Sequence, residues 1–411
     1  MPRSAGGQRP DGQETISEIR VQGNATMSDE AVVALAAVSV GSVLQPGDLD
    51  AITKRLRDSG RFDDVDVRKR YRSLEMDRVA LLLVVHEKPG VTASGQPPSV
   101  LRTIRSKLLF FPIVGYDAGY GWTYGMRTTM ANAIGKGTAL RLPLSWGASK
   151  EATAEIDRTF ASGPLTRAIG SFGVTDLHNP HFSVDDRRTG ARGRVERRFF
   201  DRLTFGGELT RTNVAFGGDR DHIWTSTLDA TYDTRREPTF PVDAILTEAA
   251  WTELHGLGPS SFGGPGAAIA MYTLDGRAYK RIYRQNVLAL WTRYDTASAP
   301  LPDYEERLLD GTWIRGVNSS LFAGDKRLIW SAEVRSPITT PLNDLGRMGI
   351  DVFMDGGAVA PYGSRLADQR EVKSAGGGVW VIFTLIQLNF DIAHSLNGEG
   401  TSFHFGTGFN F

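Results

Sequence analysis

From about residue 109 to its last residue the chain repeats one pattern. Apolar and polar side chains alternate in segments of about 9–11 residues. Leu140, Leu142, Leu144 and Trp146 interleave with Arg141, Pro143 and Ser145. Leu228, Ala230 and Tyr232 interleave with Thr227, Asp229, Thr231 and Asp233. The same reading holds at 288–294, 328–335, 348–355 and 388–393. Alternation of this period places each set on one face of a strand. The chain then ends Phe403-His404-Phe405-Gly406-Thr407-Gly408-Phe409-Asn410-Phe411. Phe403, Phe405, Phe409 and Phe411 share one parity, so the last strand presents a face of phenylalanine broken only by Thr407. An open edge of that kind aggregates in water. In a barrel closed within lipid, the outward face is required to be apolar, and aromatic near the interface.

Roughly fifteen or sixteen such segments follow one another, and none reads as a core helix. Strands of a soluble sandwich run about five or six residues. These are long enough to cross a bilayer at a tilt. Bacterial barrels close with even strand numbers, and sixteen strands allow ~19 residues for each strand with its connection. The spacing therefore predicts an all-β transmembrane barrel of sixteen antiparallel strands, rather than fourteen, over 105–411.

Composition agrees. The chain has 411 residues, with 47 basic and 47 acidic side chains, which removes the basic surface that nucleic-acid binding needs. It has no cysteine, which excludes thiolate metal sites, disulfides and cysteine nucleophiles. Mean hydropathy is −0.23, moderate as expected when apolar-out alternates with polar-in. No stretch approaches the ~20 apolar residues of a membrane helix. The first fifteen residues lack the apolar core of a secretory signal, so an exported chain would be a mature, truncated or mis-started form. The 46 glycines suit tight turns and small interior positions.

Three regions precede or form the barrel. Residues 1–15 read as disordered. Residues 16–88 alternate strand and helix signals: a strand at 16–21, a helix capped by Ser28 and running to about Ala37, a second helix from Pro46-Gly47-Asp48 to Ser59-Gly60, and strands at Phe62–Val67 and Val79–Val85. The order is β-α-α-β-β, a sheet-on-helix domain. A Pro/Gly/Ser-rich joint at 89–104 links it to the barrel, with Arg102, Arg105 and Lys107 placed to meet headgroups.

Several segments carry a family resemblance. Ile19-Arg20-Val21-Gln22-Gly23-Asn24 and Ser59-Gly60-Arg61-Phe62-Asp63-Asp64-Val65 are similar to a POTRA domain. Tyr232-Asp233-Thr234-Arg235, followed by Pro241, resembles a mid-barrel strand-to-turn signature, Trp313-Ile314-Arg315-Gly316-Val317 a loop-tip Arg-Gly motif, and Phe353-Met354-Asp355-Gly356-Gly357 an acidic strand motif. Together they resemble the barrel-assembly superfamily of outer-membrane proteins, BamA/TamA-like and also called bacterial surface antigens. The resemblance covers nearly the whole chain from Ile16. It implies one periplasmic POTRA domain before a sixteen-stranded barrel, and a long loop folded into the lumen. There Arg315 pairs with Asp355, with Gly316, Phe353 and Gly357 part of the same lock. By alternation Glu333 and Arg335 also face inward and are candidates for that network. The family's aromatic after Arg-Gly is Val317 here, a departure. Phe403, Phe405, Gly408, Phe409 and Phe411 resemble the C-terminal signal by which such barrels are recognised for their own assembly.

The resemblance implies insertion or translocation of polypeptides at the bacterial outer membrane. Unfolded client would add to a free POTRA edge by β-augmentation. The partners expected are outer-membrane lipid, client polypeptide and the assembly machinery, with no nucleic acid. Two alternatives stand beside this: the anchor of a type V secretion protein lacking its patatin-like passenger, and a passive porin. No enzyme is expected. The seven histidines show no metal-ligand spacing, and nucleophile elbows and phosphate loops are missing. No cofactor or metal is expected. Asp185-Asp186-Arg187-Arg188 reads as a polar loop and His178-Asn179-Pro180-His181 as a turn.

Overall fold

The computed structural model describes residues 14–24, 27–45, 47–72, 78–87, 108–256, 268–317, 322–339, 346–383 and 386–407. They form two compact units, divided near Leu108.

The first unit is a four-stranded sheet with two helices on one face. Its elements are β1 (Glu14–Gln22), α1 (Asp29–Ala36), β2 (Val43–Leu44), α2 (Asp48–Asp58), β3 (Phe62–Tyr71) and β4 (Arg78–Glu87). Ser28 caps α1 by accepting from the amide of Ala31 at 3.3 Å. The free backbone amides and the Ser28 hydroxyl at this helix start hold the Glu30 carboxyl below its usual range. Ile52 and Leu56 on α2 meet Leu81 and Leu83 on β4, all fully buried. Burying one such leucine stabilises by about 2 kcal/mol. β4 pairs with β1 in parallel and with β3 antiparallel. The sheet order β2-β1-β4-β3 leaves β2 and β3 at the edges.

Two expectations need correction here. The order is β-α-β-α-β-β, because Val43–Leu44 pairs with the start of β1; a two-residue strand carries no alternation to read. Glu14 and Thr15 belong to β1, not to the expected disordered segment. The rest of that segment and the joint at 89–104, with Arg102, Arg105 and Lys107, lie outside the described residues.

The second unit is a closed barrel of sixteen strands. In chain order these are β5 (Leu108–Asp117), β6 (Gly121–Ala131), β7 (Thr138–Gly147), β8 (Ser149–Thr159), β9 (Arg167–Asn179), β10 (Val184–Phe199), β11 (Leu203–Phe216), β12 (Asp219–Asp233), β13 (Ala244–Gly256), β14 (Ala268–Tyr283) and β15 (Asn286–Ala297). A long loop carrying the hairpin β16 (Arg307–Leu309) and β17 (Phe322–Gly324) intervenes. Then come β18 (Lys326–Thr339), β19 (Gly346–Ala360), β20 (Val372–Phe383), β21 (Ile386–Ser395) and β22 (Thr401–Thr407), which returns to β5. One end of the barrel, the loop end, carries that long loop. The other, the turn end, carries the β6–β7, β8–β9, β10–β11, β12–β13 and β14–β15 connections.

The alternation decides which side faces in. Leu144, Trp146, Leu228, Leu274 and Val352 project outward and are exposed. Inward, Arg167 pairs with Asp157 at 2.7 Å, Arg194 with Asp229 at 2.6 Å and Arg327 with Asp295 at 2.8 Å. Partly desolvated charges on this face are held as paired guanidinium and carboxylate. Asp185-Asp186-Arg187-Arg188 opens β10 rather than forming a loop. Its charges are met across strands and from the long loop: Arg187 by Asp176 at 2.7 Å, and Arg188 by Glu305 at 2.8 Å.

Candidate functional site

The site is the tip of the loop between β15 and β18. Asp310 starts a tight turn: its carbonyl accepts from the amides of Trp313 at 3.1 Å and Ile314 at 3.0 Å. Its carboxylate accepts from Thr312 N at 3.0 Å and from the Tyr120 hydroxyl at 2.8 Å. Ile314 and Val317 are fully buried among Leu309, Ile329 and Val359, and drive the tip into the lumen. Trp313 stacks on Trp291 of β15, ring centroids 6.0 Å apart, beneath the guanidinium of Arg327.

Between these apolar anchors Arg315 enters a cage of acids. Its Nε and Nη2 donate to Asp355 Oδ2 and Oδ1 at 2.8 and 3.0 Å, a two-pronged pairing. Its amide also donates to Asp355, at 3.2 Å. Nη1 lies 3.0 Å from Glu333 and 3.4 Å from Asp391. The guanidinium carbon stands 3.2 Å over the ring centroid of Phe353. Arg335 donates to the far oxygen of Glu333 at 2.6 Å. Arg315 is only 3 % exposed and Asp355 2 %. A guanidinium so buried persists because planar donors meet planar acceptors on several sides. Acids still outnumber bases: Glu333, Asp351, Asp355 and Asp391 face Arg315 and Arg335.

Gly316 has φ +87°, where a side chain is strained, and a Cβ there would also press on Ala393 at 3.0 Å. Its amide donates to His404 Nε2 at 3.2 Å. The Nδ1 of His404 lies 3.9 Å from Asp117 of β5. The loop tip thus touches the last strand, and that same histidine faces the first. A Cβ on Gly357 would stand 2.6 Å from the Leu328 carbonyl and 3.1 Å from Ile314, so glycine there lets the loop seat.

The last strand, β22, lies between β21 and β5. β21 and β22 are in register from Leu388↔Thr407 to His394↔Thr401. Among the described residues β22 and β5 share one pair, Phe405↔Tyr116. Outside the barrel wall, Tyr116 stacks on Phe403 at 4.3 Å, and Trp122 meets Phe405 at 5.9 Å. Phe403 and Phe405 share the outward face, while His404 is buried. Gly408, Phe409 and Phe411 lie outside the described residues.

Residues 14–88 match the POTRA family, surface antigen variable number repeat. No curated protein matches the chain. Among solved structures it is similar to BamA from Haemophilus ducreyi lacking POTRA domains 1–3, with TM-score 0.62 and 16 % identity over 96 % of this chain and 85 % of that one. It is also similar to CdiB from Acinetobacter baumannii, TM-score 0.56 and 14 % identity over 96 % and 74 %. CdiB from Escherichia coli gives 0.55 and 11 % over 99 % and 92 %. The chain joins a POTRA-family domain to a sixteen-stranded barrel of the fold seen in BamA and CdiB.

In this POTRA barrel every motif-derived lumen residue meets the same cage or its wall. Alternation alone did not single out Asp391, Ser331 and His404. Each lies on an inward face, but the period gives the face and not the partner. The strand-to-turn signature builds a second closure. In the β12–β13 turn, Glu237 pairs with Arg347 of β19 at 2.6 Å. Phe240, 2 % exposed, inserts against Trp380 of β20 with centroids 5.2 Å apart. Arg235 is tied back to Asp233.

Proposed function

We propose that this POTRA barrel sits in the bacterial outer membrane with its POTRA domain in the periplasm, and inserts or translocates polypeptide as a conduit rather than a catalyst. The observation that carries the reading is the seam. Among the described residues the pair Phe405↔Tyr116 and a few stacked rings join β22 to β5, and His404 joins that seam to the Arg315 loop tip. Releasing the tip frees the last strand from its contact in the lumen, so the wall opens there. Client enters as an extended segment. The long POTRA edge strand β3 pairs on one side with β4 and offers its other side to main-chain hydrogen bonds.

The loop lock and the Phe240 turn both occupy the interior, which disfavours a porin with large steady conductance. A passenger anchor needs no releasable seam. Depletion of the protein tests the reading: specific outer-membrane or secreted proteins fall, while total membrane lipid is unchanged. Depletion that leaves every such protein at its normal level contradicts it.

A further inference from the structure

Outward charges lie at both rims of the barrel, and at the turn end Lys280 is paired with Asp243 at 2.9 Å. At the loop end several outward charges are paired: Arg187 with Asp176 at 2.7 Å, Lys150 with Asp176 at 4.0 Å, and His178 with Asp185 at 3.0 Å. At the turn end Arg158, Arg197 and Arg284 have no carboxylate partner among the described residues. Each instead lies over a ring: Arg158 over Phe160 at 5.3 Å, Arg197 over Phe199 at 5.5 Å, and Arg284 over Tyr283 at 5.3 Å.

Two of these pairs share one patch. β8 and β10 flank β9, so Arg158 and Arg197 are separated by a single strand, a span of about 10 Å. Arg197 also donates to the Gly163 carbonyl in the β8–β9 turn, which draws it toward Arg158. The strand between them is small on its outward side. Arg158 is in register with Ala168, and Ala168 with Val195; one step deeper, Gly170 faces Gly193. Nothing lies within 4 Å of where a Cβ on Gly170 or Gly193 would stand. Ile156 and Val195 bound this hollow, and the exposed Phe172 closes its deeper end.

We infer that this patch binds an anionic phospholipid of the leaflet at the turn end. The headgroup phosphate sits between Arg158 and Arg197, and an acyl chain fills the hollow over Gly170 and Gly193. The inference rests on the membrane placement above and not on the seam. Guanidiniums held over rings at the interface stay near the wall and present their donors to phosphate. The hollow supplies shape that bare charge lacks.

Purified full-length protein in detergent is offered phosphatidylglycerol or phosphatidylcholine, and retained lipid is read by native mass spectrometry. Phosphatidylglycerol is preferred, and the pair Arg158→Gln with Arg197→Gln lowers that preference about tenfold. Gly170→Leu keeps both charges but fills the hollow, and also lowers retention. Lys150→Gln with Arg187→Gln at the opposite rim leaves the preference intact. Heat-modifiable mobility confirms that each variant has a closed barrel. Equal retention of the two lipids by the unchanged protein overturns the site, as does a full preference surviving in the double arginine variant. Loss of the preference in the opposite-rim variant, or full retention by Gly170→Leu, replaces it with unspecific charge attraction.

Discussion

Arg315 concentrates more of the account than any other side chain. Removing it leaves Asp355 buried without its counter-charge and takes one of two from Glu333, a cost of about 3–5 kcal/mol. Arg315→Ala therefore lowers the unfolding midpoint and exposes the loop to trypsin at Arg307 and Lys326. Arg315→Lys restores little, since an ammonium cannot make the two-pronged bond to Asp355 and the stack on Phe353 together. An unchanged midpoint and a resistant loop would contradict the lock. The pairing of Arg315 with Asp355 was legible in the sequence because each sits in a short motif with glycine beside it. Val317 shows the limit of that reading. Its departure from the aromatic left its contact open, and the structure buries it fully beside Leu309 and Val359. His404 was visible only as the polar parity of a phenylalanine row.

Among the elements, the β12–β13 turn departs most from its sequence reading. Tyr232-Asp233-Thr234-Arg235 with Pro241 announced a turn, and nothing in the period showed that Phe240 would fold inward. The structure explains a second feature of the sequence with it. The run Val379–Phe383 does not alternate, because Trp380 and Ile382 face inward and are fully buried, and Trp380 and Phe240 share one apolar cluster. An apolar residue on a lumen face marks something packed there. The turn and the loop tip enter from opposite ends and pack into one apolar cluster inside the barrel. Phe240→Ala costs about 3–5 kcal/mol of packing, measurable as a lower melting temperature. In planar bilayers either Phe240→Ala or Arg315→Ala raises the small, fluctuating current modestly. The double variant carries a much larger, steadier one. A single variant matching the double shows that only one closure operates. β2, by contrast, was invisible because two residues hold no period.

For the whole molecule, period and length set the class: outward Leu, Trp and Phe against inward paired charges, in segments long enough to span lipid. That made the sixteen-stranded barrel and its preceding small domain readable in advance. The contact of the loop tip with the last strand was not readable, since the period gives the face of His404 and not its partner. The central claim is that this seam must part for client to pass. The chain has no cysteine, so Tyr116→Cys with Phe405→Cys creates one defined pair. Directly opposed antiparallel residues lie about 4.5–5.5 Å apart between Cα atoms, within disulfide reach. The decisive measurement is client assembly or secretion in cells carrying this pair, oxidised and then reduced. Oxidation is expected to stop it and reduction to restore it. Assembly that proceeds unchanged with the seam locked would contradict the account.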